Sequence, residues 1–340
     1  MRLSIIVPVY NMAEDNKLTF CIDSLLNQTI TDYEIVAVDD KSTDNSAEIL
    51  KKYESENPDR IKVILSDRNG RQGTAKNKGI NVSQGEWIGF IDSDDWIAPD
   101  MYEKLLACAE ATGADVVGCD FSLVNSHTFE VGKVVNNSRD NQSGILDSDK
   151  RKSLILDGGS LCVKIYKRDR ILKEGLYFPE GIFYEDNAIG NAYLVTAHHF
   201  EYVKEPLYYY YQHDTSTVHT VSKARCKDRM AAAEFMMADA KKRGFYEELK
   251  EEIDFKFIML YYLNTVFSYM RDGEDTDIGF LKELANGLKR NLPDFELNKY
   301  YLEKINSEER KLSKMHQKNT LMFVIYYRLL WFYRKLRKRK

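Results

Sequence analysis

Four short apolar runs, LSIIVPVY (residues 3–10), YEIVAV (33–38), IKVIL (61–65) and WIGFI (87–91), open the chain, and single stretches of helical periodicity separate them. Runs of this length, rich in β-branched residues, suit strands buried on both faces. Strands that alternate with single helices imply a parallel sheet joined by right-handed crossovers. Leu18, Ile22, Leu25 and Leu26 repeat at helical spacing, as do Ile49, Leu50 and Tyr53, and later Leu105, Leu106 and Ala109. Residues 115–124 read as a fifth strand. The expected class is α/β.

Each run stops at an unusual polar group. The first ends in Pro8-Val9-Tyr10-Asn11, the second in Asp39-Asp40, and the third in a basic loop carrying Arg68, Gly70, Arg71 and Gly73, with Lys76 just beyond. The fourth ends in Asp92-Ser93-Asp94-Asp95. In a parallel sheet all four fall outside the carboxyl ends of the strands, where open α/β sheets bind ligands. Three carboxylates in four residues repel one another unless something positive lies between them. A hard divalent cation answers that need and bridges carboxylates to phosphate. The convergence points to a nucleotide site. Ser42-Thr43-Asp44 and Thr74 are expected to cap the helices that follow them, and Pro99 to open the next.

The net charge of −4 argues against a general nucleic-acid binder. Five cysteines without a CxxC pair read as reduced thiols, neither a disulfide framework nor a zinc site. The chain enters a strand at once, so no leader is expected. At 340 residues two domains are expected.

Residues 125–150 are polar and read as a loop or loose hairpin. A mixed segment then leads to Tyr184-Glu185-Asp186-Asn187, before a helical stretch through Ala188, Ala192 and Val195. Residues 202–211 are strand-like, and His213, Ser216 and Thr217 follow. Tyr208–Tyr211 reads as alternating core and surface rather than a sugar-stacking platform. The pattern is helical over 222–318, broken at Asp272-Gly273 and Leu292-Pro293. Residues 321–333 hold one charge, Arg328, and a basic run completes the chain. That stretch is too short to span a bilayer, but an aromatic apolar helix with basic residues suits the interface plane of an anionic membrane.

SIIVPVYN (4–11), EIVAVDDKSTDNS (34–46), NGRQGTAKNKGI (69–80), GEWIGFIDSDDW (85–96) and YEDN (184–187) together resemble a family 2 glycosyltransferase of bacterial surface-polysaccharide type. The resemblance covers roughly the first 215 residues. It implies the GT-A fold, a Rossmann-like mixed, mainly parallel sheet flanked by helices, here with a C-terminal helical extension. It implies that Pro8, Val9 and Tyr10 line a uracil pocket and that Asp39 contacts base or ribose. Gly73 and Lys76 would hold the nucleotide, with Asn11, Asp40, Arg71 and Ser93 in the same set. Asp92 would lie near ribose and metal, and Asp94 would ligate Mn²⁺ or Mg²⁺. Asp186 falls at the catalytic base, with Glu185 as the fallback. His213 is a possible further ligand, though a lone histidine is more often structural. Family members usually carry Arg where Lys76 stands, so a phosphate contact there would be a point charge rather than a planar fork. The Gln-x-x-Arg-Trp motif of processive synthases is absent, which favours addition of single sugars.

The implied activity is metal-dependent, inverting transfer of one sugar from a nucleoside-diphosphate sugar, with UDP favoured, to a lipid-linked or oligosaccharide acceptor. The expected location is the cytoplasmic face of the cell membrane. The expected division is a catalytic domain over 1–220 (nucleotide half 1–115, acceptor half 116–220), a helical extension over 221–318 and a membrane-associating tail over 319–340. A non-catalytic nucleotide- or carbohydrate-binding scaffold of the same fold is one rival. A nucleotidyltransferase would want a Gly-rich loop after the first strand, and a phosphohydrolase its Asp-x-Asp there; neither pattern is present. The sugar, acceptor and oligomeric state stay open.

Overall fold

The computed structural model describes residues 1–213, 221–273 and 276–338. The expected boundary at 220/221 lies outside the described residues, as do Ser216, Thr217, Arg339 and Lys340. The chain divides into two compact units, Met1–Ser216 and Thr217–Lys340.

Among the described residues the first unit is built on one sheet of ten strands: β1 (Leu3–Val9), β2 (Tyr33–Asp39), β3 (Ile61–Leu65), β4 (Trp87–Phe90), β5 (Trp96–Ile97), β6 (Val116–Val124), β7 (Lys133–Val135), β8 (Gly144–Ile145), β9 (Lys164–Lys167) and β10 (His199–Tyr211). The order is β3-β2-β1-β4-β9-β6-β10-β5, with β7 paired to β6 and β8 to β10. β1 to β4 pair parallel, as their alternation with helices requires. All residues of β1 and β2 are buried, which is why these runs show no polar alternation. Beyond β4 the sheet turns mixed: β9 runs antiparallel to both β4 and β6, and β5 antiparallel to β10, while β6 and β10 are parallel.

Register sets the site. Val9 lies opposite Asp39, and Ile6 opposite Phe90, so the motif after each strand emerges at one edge. Gly89 is needed where it stands, since a Cβ there would meet the Tyr102 hydroxyl at 2.9 Å. The segment 125–150 does form a hairpin arm, through β7 on β6.

The second unit is helical, as its periodicity indicates. Its helices are Lys223–Arg243, Lys250–Phe257 continuing through a π-helical turn (Ile258–Leu263) into Asn264–Asp272, Ile278–Asn291, Lys299–Lys304, Ser307–Lys318 and Thr320–Lys338. Ser222, Asp277, Asn298 and Asn306 cap four of them by accepting from backbone amides. Their core includes Met230, Tyr261, Tyr262, Leu281, Leu284 and Leu288. In the last helix Phe323, Val324 and Tyr327 are buried, while Leu321, Ile325, Leu329, Phe332 and Leu336 lie exposed along the other face. Among the described residues no helix is long and apolar enough to cross a membrane.

Candidate functional site

Pro8 and Val9 are buried as the last residues of β1, and Tyr10 emerges 44% exposed. The loop after it is fixed by side chains of the next βα turn. Ser42 Oγ, Ser46 Oγ and Asp44 Oδ2 accept from the amides of Asn11, Met12 and Ala13 at 2.9, 2.8 and 2.9 Å. The Thr43 amide donates in return to Asn11 Oδ1 at 2.7 Å. Of Ser42-Thr43-Asp44, expected to cap the next helix, only Asp44 does so, its Oδ1 accepting from the Ser46 amide at 3.0 Å at the start of the helix Ser46–Glu56; Ser42 and Thr43 turn to the Asn11 loop instead. These polar side chains tie two loops together. Asn11 and Lys41 sit in the left-handed region, a conformation held by that lacing.

Asp39 and Asp40 part company. Asp39 is buried; its Oδ2 accepts from the Ser42 amide at 3.1 Å and its Oδ1 has no partner among the described residues. Asp40 turns both oxygens to the Gly70 amide, at 2.9 and 3.1 Å. Burial raises its carboxyl above the usual range, and the Gly70 and Arg71 amides draw it back. Asp40 thus anchors the basic loop, with Arg71 at a positive φ of 67° beside it.

The helix Arg71–Val82 begins at Gly70, and Thr74, expected as its cap, instead donates to Gly70 O from inside the helix. Its first turns grip the segment that leads to Asp186. Gly181 N donates to Gly70 O, and Asn77 both accepts from Phe178 N and donates to Phe178 O. The Arg71 guanidinium lies 4.0 Å from the centre of the Phe183 ring. Gly73 is the contact point, because a Cβ there would lie 2.3 Å from Pro179 O. Lys76 Nζ pairs with Glu185 Oε1 at 2.9 Å, both side chains buried. Burial alone would lower the Lys76 pKa, but Glu185, with Asp92 and Asp186 adding, raises it. Its charge is therefore already balanced within the protein.

Asp92, Ser93, Asp94 and Asp95 leave β4 with different partners. Asp95 is buried, accepting from Tyr208 Oη at 2.6 Å and the Tyr211 amide at 2.8 Å. Burial, with Asp94 and Asp92 adding, pushes its carboxyl well up. Asp94 Oδ2 lies 3.0 Å from His213 Nε2. Ser93 is buried. Asp92 Oδ2 accepts from Cys162 Sγ at 3.6 Å, while its Oδ1 is buried without a partner. Burial raises the Asp92 carboxyl to about 6; Lys76 opposes this, and Asp94, Glu185 and Asp186 add to it.

Asp186 is exposed in the first turn of the helix Glu185–Val195, its Oδ1 accepting from Asn187 N and Nδ2 at 2.8 and 2.9 Å. Tyr184, at φ 66°, turns the chain so that Glu185 points to Lys76 and the next carboxylate faces outward. Among the described residues no three His, Cys, Asp or Glu side chains already converge as a metal cage. The donor chemistry nevertheless fits a hard divalent cation: an unpartnered Asp92 oxygen, the Asp94 carboxylate and the His213 imidazole. Sequence reasoning missed Cys162, Asn77 and Tyr208 as members of the site. No local pattern marks them, since each acts on a partner from another element.

Comparison with known proteins identifies the family and the fold. The family model for glycosyl transferase family 2 matches residues 4–168. The chain is 33% identical over 267 residues to a Bacillus subtilis (strain 168) protein with the provisional name glycosyltransferase EpsH, covering 76% of this chain and 74% of that protein. It is 32% identical over 219 residues to the uncharacterized glycosyltransferase YibD of Escherichia coli (strain K12), covering 63% of this chain and 62% of that protein's length. The crystal structure of S. aureus TarS 1–349 in complex with UDP-GlcNAc superimposes with a TM-score of 0.64 at 21% identity, covering 96% of this chain and 90% of that one. The fold is that of the GT-A glycosyltransferases. The chain belongs to glycosyl transferase family 2.

Proposed function

We propose that the protein transfers a single sugar, with inversion, from a nucleoside-diphosphate sugar to an acceptor hydroxyl during surface-polysaccharide assembly. UDP is the favoured nucleotide, and the acceptor a lipid-linked or other oligosaccharide. One observation carries the catalytic assignment. Glu185 is occupied by Lys76, so Asp186 is left as the exposed carboxylate whose charge reaches both Lys76 and Asp92.

Asp186 accepts the proton of the acceptor hydroxyl as its oxygen bonds to the anomeric carbon. The bond from that carbon to the diphosphate oxygen breaks on the opposite face, and the electron pair leaves with the diphosphate. Asp94, with Asp92 and His213, would hold Mn²⁺ or Mg²⁺, whose chemistry there is Lewis-acid neutralisation of the departing phosphates. Tyr10 and Asn11, on a loop laced by Ser42, Asp44 and Ser46, flank the base, and Asp39 Oδ1 is the open acceptor for base or ribose. Asp40 and Gly73 serve indirectly, by seating the basic loop and the 178–185 segment. Lys76 contributes field rather than a direct phosphate contact.

The last helix supports a membrane reading. Its outer stripe of Leu321, Ile325, Leu329, Phe332 and Leu336 continues into a basic end with Arg334 and Arg337, the pattern of a helix lying in a headgroup layer. The protein would then sit peripherally on the cytoplasmic face.

Turnover tests the catalytic reading. With UDP-sugars and Mn²⁺ the protein releases UDP in the presence of an oligosaccharide acceptor. Asp186→Asn retains UDP binding while kcat falls about 10²–10⁴-fold. Full activity in Asp186→Asn would remove the assignment.

A further inference from the structure

Asp92 is gripped by side chains from three other elements. Its amide donates to Tyr208 Oη at 3.4 Å, its carbonyl accepts from Cys21 Sγ at 3.8 Å, and its Oδ2 accepts from Cys162 Sγ at 3.6 Å. Tyr208 comes from β10, Cys21 from the helix Lys17–Leu26 and Cys162 from the turn before β9. The first two contacts fix the main chain where it leaves β4, and Cys162 fixes the carboxylate. Lys76 acts on the same carboxylate through its field, but its ammonium hydrogen-bonds Glu185 Oε1.

The turn that carries Cys162 is itself held at many points. Lys164 Nζ donates to the carbonyls of Gly158 and Ser160 at 2.8 and 2.5 Å. Asn137 Oδ1 accepts from the Ser160 amide at 2.7 Å, and Tyr166 Oη donates to Leu161 O at 3.0 Å. The Cys119 amide donates to Val163 O at 3.0 Å, so both flanks of Cys162 are pinned. Lys164 is only 1% exposed, and an ammonium buried against carbonyls is costly to keep. That cost goes into the shape of one short turn, and the shape delivers a thiol to Asp92.

A thiol suits the task. It is neutral, compact and a weak donor. A guanidinium or ammonium in its place would satisfy Asp92 outright and compete with a cation. A side chain without a donor would leave the carboxylate free to turn about its broad terminal torsion. With the thiol on Oδ2, the other oxygen, Oδ1, is buried and has no partner among the described residues. A buried acceptor left in that state calls for a partner that the protein itself does not supply.

We propose that Cys162 is a positioning residue of the cation site: its thiol holds Asp92 Oδ2 and thereby offers Oδ1 to the divalent cation. The inference rests on the cation reading of Asp92 and Asp94, and it adds what sets the affinity there. Outer partners that orient a metal ligand typically change metal affinity by about 10–100-fold when removed.

The test titrates Mn²⁺ into the whole protein with UDP present and follows free Mn²⁺ by electron paramagnetic resonance. Cys162→Ser keeps a donor, Cys162→Ala removes it, and Cys162→Val removes it while filling the space. The serine variant stays within about fivefold of wild type, whereas alanine and valine weaken Mn²⁺ binding roughly 10–100-fold. In turnover the Mn²⁺ concentration for half-maximal rate rises by the same factor, and kcat at saturating Mn²⁺ holds. Melting temperatures without Mn²⁺ show which variants are folded, and valine decides the matter if alanine is not. Wild-type Mn²⁺ affinity in a folded alanine or valine variant overturns the inference. Equal weakening in serine and valine also overturns it, since the loss would then come from packing. A wild type that binds no Mn²⁺ removes the cation reading, and the inference with it. If it binds Mn²⁺ but transfers no sugar, only the glycosyltransferase reading fails, and the titration still decides the role of Cys162.

Discussion

Lys76 and Glu185 form a buried ion pair at 2.9 Å that joins the helix following the basic loop to the helix that carries Asp186. The pair fixes where the exposed carboxylate stands relative to the strand-end aspartates. Removing one partner leaves a buried uncompensated charge, which typically costs about 3–5 kcal/mol. Lys76→Met and Glu185→Leu should each lower stability by that order in urea unfolding. The double variant should recover most of the loss, because replacing both charges by apolar groups is often near neutral. Losses that simply add would show the two side chains acting independently.

Much of the candidate site's edge was legible because it is written in contiguous runs. β1, β2 and β4 are short, buried and followed at once by their polar residues, so topology alone gathers Tyr10, Asp39 and Asp92. What was not legible are the partnerships across the chain. Glu185 is 109 residues from Lys76, His213 is 119 from Asp94, and Cys162 is 70 from Asp92. A buried lysine and an exposed one are the same letter, so the pairing of Lys76 with Glu185 has no mark in the sequence. Ser42 illustrates the converse: its type suits a helix cap, but it accepts from the Asn11 amide of the neighbouring loop, and Asp44 serves both that loop and the first helix amide.

His316 gives the second unit a pH-dependent weakness. Its ring is buried against Tyr262 and Phe323, with Nδ1 2.9 Å from Tyr262 Oη. Burial lowers its pKa from 6.5 to about 4. The unfolded chain therefore binds the proton more readily. The stabilisation from keeping this ring neutral is complete above pH 6.5, declines as pH falls and is lost below about 4. The difference corresponds to about 3 kcal/mol. Denaturation between pH 7 and 4 should show wild type losing that much more stability than His316→Leu. Parallel profiles would exclude the histidine as the cause.

Membrane attachment is best tested without deleting the last helix, because Phe323, Val324 and Tyr327 belong to the core. Leu329→Glu with Phe332→Glu alters only the outer stripe, where these side chains are 63% and 64% exposed. Co-sedimentation with phosphatidylserine vesicles should fall at least tenfold while the melting temperature holds. Arg334 already pairs with Glu308 at 2.6 Å, so the basic contribution is tested at Arg337, whose replacement should weaken sedimentation further by about 1 kcal/mol. Unchanged sedimentation of the glutamate variant would rule out this face.

The measurement that bears most directly on the whole account is thermal unfolding of the full chain with UDP, with and without Mn²⁺, in wild type and Asp94→Ala. At about 100 times its Kd, UDP should add roughly 2.7 kcal/mol to the wild type when Mn²⁺ is present. That gain should shrink sharply without the cation and in the Asp94→Ala protein. Stabilisation by UDP that ignores both manganese and the loss of Asp94 would contradict a cation held at the end of β4.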